Sequence, residues 1–258
     1  MTPPDGLPRG LLVSVRSVEE AAAAVAGGAA IIDVKEPALG PLGAARPEVA
    51  AAIAAVAGVV PWTLACGELA AGADHVAAHV WQVHDAAGPR MPRPAAVKAG
   101  PAGLAAAAWE RQFQQFVGGL PVGVEPVAVA YADHRRAGAA EPSEILRAAA
   151  DAGAGIALVD TFDKAGPGIV PLVGLSGIRS WQRLAADLGL RLAVAGRLTI
   201  AEVAALAGSG AWVVGVRSAA CGGLRSGQVE AGHVAKLVDT LSEATVRAGG
   251  ARPGAHQP

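Results

Sequence analysis

Short apolar runs and longer amphipathic segments alternate along most of the chain. The short runs span about four to seven residues and are rich in Val, Ile, Leu and Ala, as buried strands of a parallel sheet are. The predicted strands are 11–15, 31–35, 60–66, 95–99, 125–131, 156–160, 191–195 and 213–216. The segments between them predict helices: one that Ser17 caps and that stops at Gly27, then 47–57, 73–87, 103–117, 142–153, one containing Trp181 and Leu184, 199–207 and 228–246.

This alternation predicts the fold class. Eight strands, each followed by a helix, are typical of an α/β protein built as a single-domain (β/α)8 TIM barrel, here over residues 10–247. A doubly wound open sheet is the alternative, and the number of strands favours the barrel. Residues 1–9 are predicted to form a disordered leader, and residues 248–258 a flexible tail.

The second predicted strand ends on two charged side chains. Because strand side chains alternate between faces, Asp33 and Lys35 point the same way. The Glu36-Pro37 step that follows cannot continue a sheet, so the lysine lies at the exit of a buried strand. Burial favours the neutral amine, which is a nucleophile toward carbonyl groups. The alternative is that Lys35 forms a structural ion pair with Asp33 or Glu36.

Other polar residues follow the remaining strands. In a (β/α)8 barrel the active site lies at the C-terminal ends of the strands, so these side chains are expected to converge. They are Ser14 and Arg16; Asp33 and Lys35; Lys98; Tyr131, Asp133 and His134; Asp160, Thr161 and Lys164; Gly196 and Arg197; Arg217 and Ser218. Three lysines at one mouth repel each other, so crowding is expected to lower the pKa of at least one and to free an amine for Schiff-base chemistry.

The loops after the seventh and eighth strands combine glycine with a cation. Such loops let backbone N–H groups approach a phosphate, and barrels commonly bind phosphate at this position. The predicted phosphate-binding residues are Gly196, Arg197, Gly215, Arg217 and Ser218. The next segment, 221–227, adds flexible backbone and a further cation, Arg225. A glycine loop with one arginine is also a frequent surface turn, which leaves the structural alternative open.

Composition and charge exclude several classes of function. The formal net charge is -1 without a long basic run, which argues against nucleic acid as a partner, and no apolar stretch is long enough to span a membrane. The N-terminus lacks a basic and apolar targeting signal, so a cytoplasmic protein is expected.

The two cysteines, Cys66 and Cys221, do not suggest a disulfide framework. His75, His79 and His84 lack a further ligand, and no metal site is predicted. The sequence is compatible with a homo-oligomer.

Motifs spread over nearly the whole chain resemble those of the (5-formylfuran-3-yl)methyl phosphate synthases of methanofuran biosynthesis. The most specific motif is Asp33-Val34-Lys35-Glu36-Pro37 followed by Gly40-Pro41-Leu42-Gly43-Ala44. The others are Leu11-Leu12-Val13-Ser14-Val15-Arg16, Val97-Lys98, Tyr131-Ala132-Asp133, Asp160-Thr161, Lys164, Ala195-Gly196, and Val214-Gly215-Val216-Arg217 with Cys221.

The resemblance implies a lyase on a TIM barrel that condenses two molecules of D-glyceraldehyde 3-phosphate into a furan aldehyde phosphate, with release of phosphate and water. It implies that Lys35 forms the Schiff base, that Lys98 transfers protons, and that Asp33, Asp160 and Lys164 support them. It implies neither a cofactor nor a metal ion. Two alternatives stay open because a fold does not fix a reaction: another Schiff-base phosphosugar aldolase or isomerase, and a non-catalytic barrel that binds phosphorylated metabolites.

Overall fold

The computed structural model describes residues 7–209 and 211–250. Its eight strands form a closed barrel in the order β1 to β8, and every neighbouring pair of strands is parallel. The strands are β1 Gly10–Val15, β2 Ile31–Val34, β3 Trp62–Glu68, β4 Ala96–Gly100, β5 Glu125–Tyr131, β6 Ile156–Asp160, β7 Arg191–Val194 and β8 Val213–Val216. The predicted (β/α)8 barrel is thereby confirmed, and the open sheet is excluded by the β1–β8 pairing.

Helices cover the outside of the barrel. They are α1 Val18–Ala26, α2 Pro47–Ala57, α3 Ala73–Ala87, α4 Ala106–Gly118, α5 His134–Ala137, α6 Pro142–Asp151, α7 Ile169–Asp187, α8 Ile200–Gly208 and α9 Ala231–Gly250. Ser17 caps α1 by accepting the N–H of Glu20 at 3.3 Å, as its sequence predicted. None of the helices in the described ranges combines the length and hydropathy needed to cross a membrane.

Three segments differ from their prediction. No helix is predicted between the strand 125–131 and the helix 142–153, but residues 134–137 form the single helical turn α5. Helix α7, predicted only around Trp181 and Leu184, begins already at Ile169 and holds Pro171 in its first turn, where proline needs no backbone donor. Strand β3 continues two residues beyond Cys66 and brings Glu68 to the mouth of the barrel.

The two ends of the chain fall mostly outside the described residues. Of the predicted leader, 1–9, only residues 7–9 are described, and of the predicted tail, 248–258, only residues 248–250. Leu7 is buried and packs with side chains of the barrel interior at the N-terminal end of the strands. The last helix, α9, extends to Gly250.

Candidate active site

The side chains of β2 alternate as predicted between the two faces of the barrel wall. Ile32 and Val34 pack in the layer between strands and helices, whereas Asp33 and Lys35 line the interior. After Lys35 the chain leaves the sheet, and the Glu36 carboxylate caps the following turn by accepting the N–H of Ala38 at 2.9 Å. The Asp33 carboxylate and the Lys35 amine thus face the same cavity.

A cavity enters the barrel from its C-terminal mouth. It encloses about 810 Å³ of empty space, including the open space at the mouth. Every residue predicted for catalysis or phosphate binding contributes to its lining: Asp33, Lys35, Lys98, Asp160, Lys164, Gly196, Arg197, Gly215, Arg217 and Ser218. The structure therefore brings these residues together, as expected for the carboxyl ends of parallel strands. Five other strand-end residues that were expected to converge do not line this cavity: Arg16, Tyr131, Asp133, His134 and Thr161.

Asp33 is the centre of a buried polar cluster on one side of the cavity. Its carboxylate accepts hydrogen bonds from the hydroxyls of Ser14 and Thr63, both at 2.8 Å, and pairs with the ammonium of Lys98 at 2.6 Å. Asp33 is 1% exposed. Three donors compensate for the desolvation of this carboxylate and hold the Lys98 amine at a fixed position in the cavity.

Asp160 and Lys164 form a second acid–base pair at the end of β6. The Lys164 amine lies 2.6 Å from Asp160 Oδ1, which also accepts the N–H of Thr161 at 2.7 Å. Burial by itself would raise the pKa of Asp160, but the charges of Lys164 and Lys35 outweigh it and lower that pKa. Burial also lowers the pKa of Lys164, and the neighbouring Asp160 opposes this shift.

Lys35 lies between these two pairs and belongs to neither. It is 6% exposed, and no carboxylate of the described residues lies within 4.0 Å of its amine. Its pKa is lowered to about 7, chiefly by burial; the carboxylates of Asp33 and Asp160 oppose the shift, and the ammonium groups of Lys164 and Lys98 add to it.

Two interpretations of Lys35 are thereby decided. The structural ion pair with Asp33 or Glu36 is not formed, because Lys98 occupies the carboxylate of Asp33 and Glu36 caps a turn. The expected low pKa is present, but its main cause is burial, and crowding by the other lysines is a smaller contribution. A lysine at this pKa is partly neutral at physiological pH.

The loop after β7 presents free backbone donors at the mouth. Gly196 and Arg197 adopt positive φ angles of 116° and 56°, and their N–H groups donate to no acceptor within residues 7–209 and 211–250. A left-handed conformation is unfavourable for arginine and is typical of ligand-binding loops. The Arg197 guanidinium bonds the carbonyl of Gly166 and has no carboxylate within 4.0 Å among the described side chains. This geometry suits an anion.

Arg217 has a different function from the predicted phosphate contact. Its guanidinium donates twice to the buried carboxylate of Glu20, at 2.7 and 3.1 Å, and to the carbonyls of Ser14, Arg225 and Gly227. These five bonds use all five N–H donors of an arginine. Arg217 therefore has no donor left for a phosphate, and it instead ties the loop after β8 to α1 and β1.

The other two predicted phosphate-binding residues shape the cavity. Gly215 lies in β8 at the cavity wall, where an added Cβ would come within 3.1 Å of the Cβ of Ala195. Its lack of a side chain keeps the interior open. Ser218 begins the single helical turn Ser218–Cys221 at the mouth.

Sequence reasoning missed three polar residues near the site. Thr63 lies inside a predicted strand, and the alternation that placed Asp33 inside the barrel would have placed Thr63 there too. Glu68 lies beyond the predicted end of β3; it accepts the hydroxyl of Tyr131 at 2.6 Å and the N–H of Ala102 at 3.0 Å. Arg225, noted in the sequence only as a further cation, lines the cavity.

Comparisons with known proteins show the family to which this chain belongs. The sequence model of the 4-HFC-P synthase family matches residues 11–238. The chain belongs to this family. It is 32% identical over 254 residues to the (5-formylfuran-3-yl)methyl phosphate synthase of Archaeoglobus fulgidus, covering 90% of this chain and 98% of the relative. The enzyme of the same name from Methanothermobacter thermautotrophicus is 33% identical over 251 residues, with 90% and 98% coverage.

Solved structures of other barrel enzymes have the same fold as this member of the synthase family. The 3-hexulose-6-phosphate synthase of Salmonella typhimurium superposes with a TM-score of 0.60 at 18% identity, covering 91% of this chain and 99% of that one. The thiamine phosphate pyrophosphorylase of Pyrococcus furiosus also reaches 0.60, at 14% identity and with 92% and 96% coverage. At these identities the similarity supports the fold alone.

Proposed function

We propose that this protein makes (5-formylfuran-3-yl)methyl phosphate from two molecules of D-glyceraldehyde 3-phosphate through a Schiff base at Lys35. The observation that carries the proposal is the buried Lys35 amine, whose pKa is about 7 and which has no carboxylate partner within 4.0 Å among the described residues. Two acid–base pairs flank it, Lys98 with Asp33 and Lys164 with Asp160. Family membership supports the product, because the relatives carry the name of this synthase.

In the first step the neutral Lys35 amine attacks the aldehyde carbon of one triose phosphate. The carbonyl oxygen leaves as water, and the resulting iminium makes the hydrogen on the adjacent carbon acidic. Lys98, which Asp33 holds in the same cavity, is the proposed group that moves protons to and from this carbon. Loss of this proton expels the phosphate from the third carbon of the same triose, and that third carbon, now the end of an enol, forms the new carbon–carbon bond with the ketone carbon of the second triose phosphate, which has isomerised to its ketose form. The carbon bound to Lys35 thereby becomes the formyl group of the product.

Eliminations complete the ring. The two substrates together hold two phosphate groups and the product retains one, so one phosphate must leave. Atom balance also requires the net loss of two molecules of water, since the water lost on forming the iminium is returned when hydrolysis frees Lys35. Each elimination moves a proton from carbon and one to the leaving oxygen. The Asp160–Lys164 pair, at the edge of the cavity, is the proposed acid–base group for these steps.

The rate of Schiff-base formation should rise with pH and level off above about 7, where Lys35 becomes neutral. The sign follows from the lowered pKa, because only the deprotonated amine attacks a carbonyl. Below this pKa the rate should fall by about tenfold per pH unit. Initial rates of cyanoborohydride trapping with glyceraldehyde 3-phosphate between pH 5.5 and 8.5 measure this profile. A rate independent of pH over this range would contradict the assignment of the nucleophile.

The purified protein supplied with glyceraldehyde 3-phosphate alone tests the proposed function. We expect a furan aldehyde chromophore, one phosphate released per furan formed, and a borohydride-reduced adduct on Lys35. Another phosphosugar aldolase or isomerase would consume the triose phosphate without a furan product. A non-catalytic binding barrel would release no phosphate. Either outcome would refute the proposal.

A further inference from the structure

A second concave surface adjoins the active-site cavity at the mouth of the barrel. This outer groove lies between the loop after β2, the turn α5, and the loops after β6 and β8. It contains about 940 Å³ of empty space, including open solvent. Lys164 and Arg225 line both the groove and the cavity, so they form the wall between the two. A molecule in the groove would therefore lie next to one in the cavity.

Arg225 is a half-buried cation with unused hydrogen-bonding capacity. Its guanidinium makes one hydrogen bond, to the carbonyl of Gly40 at 3.3 Å, and no carboxylate of the described residues lies within 4.0 Å of it. Burial lowers the pKa of Arg225, and Asp160, the carboxylate that opposes this shift, is already paired with Lys164. An arginine has five N–H donors and remains charged when buried. An anion in the groove would satisfy both the charge and the remaining donors.

The neighbouring arginines do not offer the same site. Arg217 has all five donors occupied. Arg136 also lines the groove, but its guanidinium is paired with the carboxylate of Asp163. Arg197 belongs to the loop after β7 and lines the cavity rather than the groove. Of the described arginines that line the cavity or the groove, two thus have no carboxylate partner within 4.0 Å, Arg197 at the cavity and Arg225 at the groove.

The number of these sites matches the number of phosphates in the proposed reaction. Resting on the proposed function, we propose that the outer groove binds the second triose phosphate and that the Arg225 guanidinium binds its phosphate. The first triose phosphate then occupies the cavity, with its aldehyde at Lys35 and its phosphate at the N–H groups of Gly196 and Arg197. Lys164 lies at the boundary between the two substrates, close enough for its charge to lower the pKa of Lys35.

Binding of glycerol 3-phosphate to the reduced Lys35 adduct tests this assignment. This probe carries the phosphate but has no carbonyl, and the adduct fills the first subsite. We expect Arg225→Met to weaken its binding by about tenfold to a hundredfold, as for loss of a charge-assisted contact, and Arg225→Lys to weaken it less. The amount of adduct at saturating glyceraldehyde 3-phosphate should stay at the wild-type level in both variants, while furan formation slows.

Arg93→Met is the matched control. Arg93 also makes one hydrogen bond to a backbone carbonyl, that of Val122, but it lies at the opposite end of the barrel. This variant should bind the probe as the wild type does. Unchanged binding in Arg225→Met, or equal loss of binding in Arg93→Met, would overturn the assignment to Arg225. Equal loss of adduct and turnover in a folded Arg225→Met protein would place Arg225 in the first subsite instead.

A different result would mark failure of the proposed function itself. If the wild type forms no adduct at Lys35, the Schiff-base mechanism is wrong, and the groove is then tested on the unmodified protein. There the wild type should bind two equivalents of glycerol 3-phosphate and Arg225→Met one. The same stoichiometry in both proteins would refute the groove as a phosphate site.

Discussion

Replacing Lys35 with alanine should lower furan formation by about a thousandfold or more and leave the barrel folded. The covalent route is lost because no other amine has the same environment: the amines of Lys98 and Lys164 are each paired with a carboxylate at 2.6 Å. Lys35 makes no ion pair whose loss would leave a buried carboxylate without a partner. Turnover with glyceraldehyde 3-phosphate and the melting temperature measure the two parts of the prediction.

Lysine trapping gives a direct control because the chain contains only four lysines, Lys35, Lys98, Lys164 and Lys236. Mass spectrometry after borohydride reduction should find the adduct on Lys35 in the wild type and none in Lys35→Ala. Lys236 is an exposed residue of α9, and Lys236→Ala should retain wild-type turnover and trapping. An adduct that persists at full yield on Lys98 or Lys164 in Lys35→Ala would contradict the assignment.

Replacing Arg217 with methionine should lower the free energy of unfolding by about 3 to 5 kcal/mol. The substitution removes the guanidinium that bonds both oxygens of the Glu20 carboxylate, which is 2% exposed, and leaves it only the more distant Arg16 Nε, at 3.5 Å. It also frees the carbonyls of Ser14, Arg225 and Gly227. Loss of the main partner of a buried charge costs much more than a surface pair contributes. Chemical denaturation of the wild type and the variant measures the difference.

Two further variants separate the buried pair from a general effect of removing a charge. Arg247→Met removes an exposed arginine paired with Glu243 one turn away on α9, and it should change stability by less than about 0.5 kcal/mol. The double variant Glu20→Gln with Arg217→Met removes both buried charges and should recover part of the loss. If the double variant loses more free energy of unfolding than Glu20→Gln and Arg217→Met lose together as single variants, charge burial is not the cause.

The polar interior of the barrel could be predicted where it depends on local alternation. The period of two placed Asp33 and Lys35 on one face from ten residues of sequence, and the end of the strand placed Lys35 at the mouth. Lys98, Asp160 and Lys164 followed from the same rule at other strands. This rule works because strand geometry fixes the direction of a side chain without reference to the rest of the fold.

Which charges pair with which could not be predicted in the same way. Asp33 pairs with Lys98 rather than with its neighbour Lys35, and Glu20 pairs with Arg217, 197 residues away. The first contact joins β2 and β4 across β3, and the second depends on the closure of the barrel, which brings β8 beside β1. In the closed barrel all five N–H donors of Arg217 are hydrogen-bonded, whereas the Arg225 guanidinium makes one hydrogen bond.

The sequence by itself determined the number and order of the strands, the eight helices that follow them, the face on which Asp33 and Lys35 lie, and the resemblance to the synthase family. These properties depend on spacing along the chain and on which residues can be buried. Only the tertiary structure decided which amine is unpaired, which arginines have free donors, and that burial is the main cause of the lowered pKa of Lys35. Those properties depend on desolvation and on partners distant in sequence, and both are set only when the barrel closes.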